Sequence, residues 1–252
     1  MLDLQKASVS RRISAFLLDI IFVAILVTAL ATAFSFLFGF DRQMETWDER
    51  VSYYETEYGV SFDLSASELE EMEEAEREYL EFAYGEFSKD EAAIRAYNLM
   101  FALSFVILSL SIFFAIFIWE FLLPLYFKNG QTFGKKVFGI GLMRTDGVKI
   151  SRLSLFVRAI LGKYTVEIMI PIMMILLLVF NVVGIVGIVI IAALLLWQLG
   201  MVISTHTNSM IHDAIAVTVA VDMNSQKIFD SAEEMIAYKT RIHAEQAAKK
   251  DY

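Results

Sequence analysis

The sequence predicts an all-α membrane protein with about four transmembrane helices, an extracytoplasmic helical insertion and a small cytoplasmic β-containing platform. Three observations lead there. The chain has 252 residues and is 57% hydrophobic, whereas soluble domains are about 45–50% apolar. Its apolar residues are gathered into runs that can cross a hydrocarbon core, which takes about 20 helical residues. Its charge is divided: residues 41–95 hold 18 acidic and 5 basic side chains, a net of −13 within a total of −9, leaving +4 elsewhere. With no cysteine in the chain, disulfides, thiolate metal sites and cysteine nucleophiles are excluded.

The first region, residues 1–38, is an N-terminal flank and the first transmembrane helix, Ile13–Phe38. Its apolar run outlasts a signal-peptide core of roughly 7–15 residues, so the helix is read as retained. Lys6, Arg11 and Arg12 precede it, which places the N-terminus in the cytoplasm by the positive-inside rule. Residues 39–97 then form an acidic extracytoplasmic helical cap. Met44, Trp47, Val51, Tyr54 and Tyr58 recur at helical spacing and share one face. Ser67-x-x-Glu70 and Ser88-x-x-Glu91 read as capping boxes that open further helices. The glutamate run 70–78 reads as a solvated helix face, because no calcium-loop spacing accompanies it.

Residues 98–127 carry the second span, Leu99–Leu123, which ends near Pro124 and contains Glu120. Residues 128–165 are strongly basic, with Lys128, Lys135, Lys136, Arg144, Lys149, Arg152, Arg158 and Lys163 against Asp146 alone. This again indicates the cytoplasm. Here Val137–Arg144 and Val148–Ser151 flank Asp146-Gly147 as a hairpin. Ser151–Tyr164 follows as an interfacial amphipathic helix. Residues 166–204 are too long for one comfortable span and read as a transmembrane hairpin that turns near Asn181–Gly184, with one long tilted span as the alternative. Residues 205–252 return to the cytoplasm with a β-prone segment at Ala216–Val221, able to pair with the 137–151 hairpin, and a surface helix capped by Ser231-x-x-Glu234.

The candidate functional residues are charges in apolar surroundings. An ionised aspartate at the depth of Asp19 costs about 2.5–3.5 kcal/mol on insertion scales. Arg12 lies seven residues earlier, about 10 Å along the axis, so the two share a face but need separate partners. Asp19 reads equally as an ion or proton site and as a polar staple between helices. Glu120 and His212, beside Asp213, are possible accessory groups. Three histidines without paired spacing do not make a metal site. Gly130-Gln-Thr-Phe-Gly134-Lys-Lys136 has three residues between its glycines and Lys136 where Ser or Thr would hold magnesium. It is therefore read as a basic loop meeting anionic lipid, not as a nucleotide loop.

Taken together, Arg12-x-x-Ala15-x-x-x-Asp19, the Gly130–Lys136 motif with Gly139 and Asp146-Gly147, Arg158, and His212-Asp213 resemble the RDD family. These are bacterial membrane proteins named for an arginine and two aspartates. The resemblance covers residues 9–38 and 98–222, and implies that Arg12, Asp19 and Asp213 are the naming residues. Phe133 stands where the family usually has proline, and Val217 where it usually has glycine, which predicts an altered approach to the following strand.

The leading functional expectation is a cation/proton transporter of the bacterial cytoplasmic membrane. It uses a charged cluster of Arg12, Asp19 and Asp213 with Arg158 nearby, and needs a water path to Asp19. The alternative is a non-catalytic regulator or assembly factor. It has a sealed cluster, and it binds another membrane protein through the cap around Trp47 and Tyr54 or through the tail. The expected partners are the lipid bilayer, anionic lipid at the basic loop, and a membrane protein or second copy of the chain. No enzymatic activity, cofactor, metal or nucleic acid is expected.

Overall fold

The structure is a computed structural model describing residues 4–127 and 129–250, so Lys128 lies outside the described residues. Among these, four helices are long and apolar enough to cross a membrane: Val9–Phe38, Glu91–Phe127, Arg152–Val179 and Gly184–Ser204. The chain divides into two compact units, Val27–Ser111 and Met1–Leu26 with Ile112–Tyr252.

The unit Val27–Ser111 contains the acidic insertion. Its helices Phe40–Tyr58 and Glu74–Phe87 meet through aromatic rings. Trp47 and Tyr54 both pack edge-on against Phe87, and Tyr58 packs against Tyr79 and Phe82. The predicted face is therefore turned inward, and Trp47 and Tyr54 are half-buried. Two predicted caps shift. The capping box is Ser65 with Glu68, two residues earlier than Ser67 with Glu70, since both pairs fit the pattern. Asp90 caps the second span by accepting from the Ala92 and Ala93 N–H groups, while Ser88 bonds back to Gly85. Arg50 pairs with the same Asp90 carboxylate, which ties the first cap helix to the start of the span.

The other unit is built around a two-stranded antiparallel sheet. Strand β1 (Ile140–Arg144) pairs with β2 (Thr218–Asp222), Leu142 opposite Ala220. The predicted hairpin is reduced to its turn. Arg144 and Val148 still close around Asp146-Gly147, but only Met143 and Lys149 bridge across it. The residues before β1 form a helix, Phe133–Val137, capped by Thr132. The N-terminus adds an outer edge to β2: the Ala7 N–H donates to Ala220 O, and the Asp222 N–H to Gln5 O. The strand alternation then divides the residues. Ile140, Leu142 and Ala220 pack with Ala15, Leu155 and Phe121, whereas Met143, Val219 and Val221 pack with Leu4 and Ile228.

The third span differs most from expectation. Arg152–Val179 is one helix, with no break between an interfacial segment and a span, because partners elsewhere satisfy its internal charges. Thirteen of its residues, Val157–Met169, are π-helical. A shorter π-helical stretch, Phe117–Leu122, lies in the second span. The chain has two prolines, Pro124 and Pro171, and each follows a π-helical stretch by two residues. A proline donates no N–H and crowds the carbonyl four residues back. A preceding i→i+5 turn relieves that crowding and lets the helix continue. The second span consequently runs through Pro124 to Phe127. The last two spans turn at Asn181–Gly184, where Asn181 and Gly184 have φ of 55° and 49°.

Val217 keeps the backbone that a glycine would take, with φ of 54°. Its carbonyl accepts from the Thr145 N–H at 3.2 Å, so the expected alteration before β2 does not occur and the β-branched residue is strained instead. Such strain costs about 1–3 kcal/mol, against about 0.5–1 kcal/mol for the extra freedom of glycine when unfolded. Val217 is 59% exposed, so little apolar burial is at stake. Val217→Gly is expected to stabilise the protein by about 1 kcal/mol, measured by denaturation in detergent. A loss of stability would remove the strain argument.

Candidate functional site

Asp19 is buried in the first span, two turns beyond Arg12. Its neighbours are not arginines. Oδ1 accepts from the Trp119 indole N–H and the Gly134 N–H, both at 2.9 Å, and Oδ2 accepts from the Thr132 hydroxyl at 2.5 Å. The carboxylate therefore caps the Gly130–Lys136 loop. Gly134 is required there, because a Cβ would collide with the Ala15 carbonyl oxygen and lie 2.9 Å from the Asp19 carboxyl carbon. Phe133 occupies the first helical position of this turn, a place proline also fits. Its ring meets Phe22 edge-on, and Phe22 in turn stacks on Trp119.

Arg12 turns the other way. It donates to Asn208 O at 2.6 Å and to Asp213 Oδ2 at 3.3 Å. Asp213 Oδ1 accepts from Arg158 Nε at 2.9 Å and from the Thr218 hydroxyl at 3.2 Å. Burial alone would raise the Asp213 carboxyl, but the guanidiniums of Arg158 and Arg12 outweigh it and hold it well below the usual carboxylate range.

Arg158 continues the network to Glu120, with Nη1 at 3.2 Å from Oε2. Lys135 reaches the same oxygen at 3.2 Å, and Lys163 contacts Oε1. Glu120 thus holds three cations. Arg158 and Lys163 are five residues apart, about 140° around an ordinary α-helix. The π-helical stretch brings them to one carboxylate. Burial pushes the Lys135 ammonium down to about 8, with Arg158 and Lys163 adding to the effect and Glu120 opposing it.

His212 closes the far end. Its Nδ1 is 2.8 Å from Glu167, and its Nε2 is 2.7 Å from Arg158 Nη2. A guanidinium only donates, so Nε2 accepts and Nδ1 carries the proton. The imidazole is neutral in this arrangement, in keeping with a value lowered by burial and by the Arg158 charge. Gln198 links Glu167 to the Ile211 N–H. At Gly162 a Cβ would lie 2.6 Å from the His212 Cα, so the third span approaches the histidine at bare backbone.

The expected residues Arg12, Asp213, Arg158, Glu120 and His212 therefore form one bonded network. Asp19 stands beside it, bound to the loop that carries Lys135. Lys135, Lys163, Glu167, Gln198, Trp119 and Thr132 complete the site. Four cations face four carboxylates: Arg12, Lys135, Arg158 and Lys163 against Asp19, Glu120, Glu167 and Asp213. Among the described residues, every buried side-chain nitrogen and oxygen has a partner.

Two outcomes follow from this geometry. Gly134→Ala is expected to destabilise the protein by about 1–3 kcal/mol through overpacking, read from the thermal midpoint in detergent; an unchanged midpoint would contradict the close approach. The lowered His212 value sets a pH window. Below its ordinary 6.5 the unfolded chain binds a proton that the folded chain does not, so stability falls with pH from 6.5 to the folded value. In His212→Gln that part of the pH dependence is expected to vanish. Equal slopes of midpoint against pH in parent and variant would refute the neutral assignment.

The family model that matches is that of the RDD family, over residues 6–217. No curated protein and no solved structure matches significantly. The match takes in Arg12, Asp19 and Asp213, and the chain is a member of the RDD family.

Proposed function

We propose that this protein is a non-catalytic regulator or assembly factor of the bacterial cytoplasmic membrane. Its buried charges fasten the platform to the helices, and its C-terminal helix meets another membrane protein. The observation that supports this reading is the engagement of Asp19. Both of its oxygens accept from fixed donors on Trp119, Thr132 and Gly134, as in a staple between elements. The cap offers less to a partner, since Trp47 and Tyr54 are turned onto Phe87. The helix Ala232–Lys250 has a largely exposed surface, including Ile236. The basic flank before the first span and the basic stretch 128–163 support a cytoplasmic platform and a general attraction to anionic lipid.

One feature favours transport as a second reading. A pocket of about 50 Å³ touches Arg12, Asp19, Lys135, Arg158, Lys163, His212 and Asp213, enough for one or two waters beside the carboxylates. Proton flux driven by a cation gradient in proteoliposomes separates the two. The parent and Asp19→Asn are both expected to match empty liposomes. Flux in the parent that Asp19→Asn abolishes would establish antiport and overturn the scaffold reading.

A further inference from the structure

The charge network is neutral as a whole but not evenly arranged. Glu120 and Asp213 lie at its base, each with its side chain 1% exposed. Arg12, Lys135 and Lys163 are 11%, 12% and 14% exposed. Arg158 lies inside with these two carboxylates, Arg12, Lys135 and Lys163 are at the opening, and Glu167, 15% exposed, is outside the pocket. The pocket there is lined by four cations and two carboxylates, Asp19 and Asp213, because Glu120 and Glu167 do not reach its wall. It presents a net positive surface.

Its remaining wall is apolar. Phe16 lines it, and the Lys163 ammonium lies 5.9 Å from the Phe16 ring centroid. Phe16 belongs to an exposed row on the first span, with Ile13, Leu17 and Ile20. These positions recur at helical spacing and form one stripe. On a membrane-spanning helix, such a stripe is covered by acyl chains. A cationic pocket thus opens at the edge of a lipid-facing stripe, within the first two turns of the span.

We propose that the opening of this pocket binds the phosphate group of an anionic phospholipid, one phosphate oxygen entering it, with Lys135 and Lys163 as the direct ligands, Arg12 at the rim and the acyl chains along Phe16 and Ile20. Each ammonium has three donors, and one carboxylate, Glu120, receives a bond from both. A phosphate oxygen at the opening adds a second anion for two ammoniums that share one, since Arg158 also has Asp213. The inference rests on the general attraction of the platform for anionic lipid and narrows it to one place; it does not depend on whether ions are moved.

Native mass spectrometry of the full-length protein in detergent tests it, with dioleoyl phosphatidylglycerol as the probe and dioleoylglycerol, which lacks phosphate, as the control. One phosphatidylglycerol is expected to bind per chain, and dioleoylglycerol is not. Lys163→Gln is expected to weaken binding about five- to tenfold, with Lys163→Arg retaining it. Arg152→Gln, at an exposed position outside the pocket, is expected to leave it unchanged. If Arg152→Gln weakens binding as much as Lys163→Gln, the general attraction stands and the pocket fails. Inorganic phosphate binding as tightly as the lipid would make this a free-anion site and overturn the lipid assignment, as would equal binding of dioleoylglycerol.

Lys163→Gln leaves Glu120 with one cation fewer and risks misfolding, so the parent supplies a second measurement. The lipid phosphodiester keeps one negative charge between pH 7 and 9.5, while burial pushes the Lys135 ammonium down to about 8, within that range. Binding to the parent is expected to weaken severalfold across that range. Binding independent of pH there would remove Lys135 from the site and with it the proposal.

Discussion

The fold of the larger unit depends on the Arg158 guanidinium. From one position in the third span it bonds Glu120 of the second span, and Asp213 and His212 of the short helix Ile211–Ile215 that follows the fourth. An arginine suits this place because its donors point outward in a fixed planar fork and it stays charged when buried. Asp213 carries the connection to Arg12 on the first span, and Thr218 ties the same aspartate to the start of β2. The platform and three of the spans are thus joined through a single side chain and its immediate partners.

Such a network contributes more to arrangement than to net stability. Desolvating each ion is costly, and mutual attraction repays it only where the geometry is good and every remaining donor is satisfied. Removing one member leaves another charge buried and uncompensated, at about 3–5 kcal/mol. The two π-helical stretches permit this arrangement. They place Glu120 on one helix, and Arg158, Lys163 and Glu167 on another, at offsets an ordinary helix does not supply, and they end just before the two prolines. The small residues serve the same end: Gly134 and Gly162 allow Asp19 and His212 to approach backbone directly.

The sequence revealed the spans well, because about twenty apolar residues in a row have few other uses. It also singled out Arg12, Asp19, Glu120, Arg158, His212 and Asp213, since charges in apolar surroundings stand out. Their pairing was less legible. The sequence groups Asp19 with Arg12 and Asp213, yet it holds the turn at Thr132–Gly134 through the Thr132 hydroxyl and the Gly134 N–H, a backbone donor with no sequence signature. In the sequence Lys163 is one basic residue among many in 128–165, because at α-helical spacing it points away from Arg158. Glu167 begins an apolar run and belongs to no motif. The Asp-Gly turn was correctly located, but β1 pairs mainly with β2, some eighty residues away, a choice made by which faces bury Leu142 and Ala220. The capping boxes at 67 and 88 were displaced by neighbouring Ser65 and Asp90, which offer equally good oxygens nearby.

The attachment of Asp19 has a consequence for how the chain is made. Synthesis runs from the N-terminus, and the first span is complete about a hundred residues before Thr132 and Gly134 exist. During that interval Asp19 enters the lipid without the donors that later hold it, and Arg12 is too far along the helix to serve. The uncompensated charge, about 2.5–3.5 kcal/mol, must be carried by the apolar residues around it. The first span has 30 residues, beyond the about 20 needed to cross, and its apolar surface offsets that cost. The aspartate thus enters the bilayer as a cost and becomes a fastening only when the Thr132–Gly134 turn reaches it.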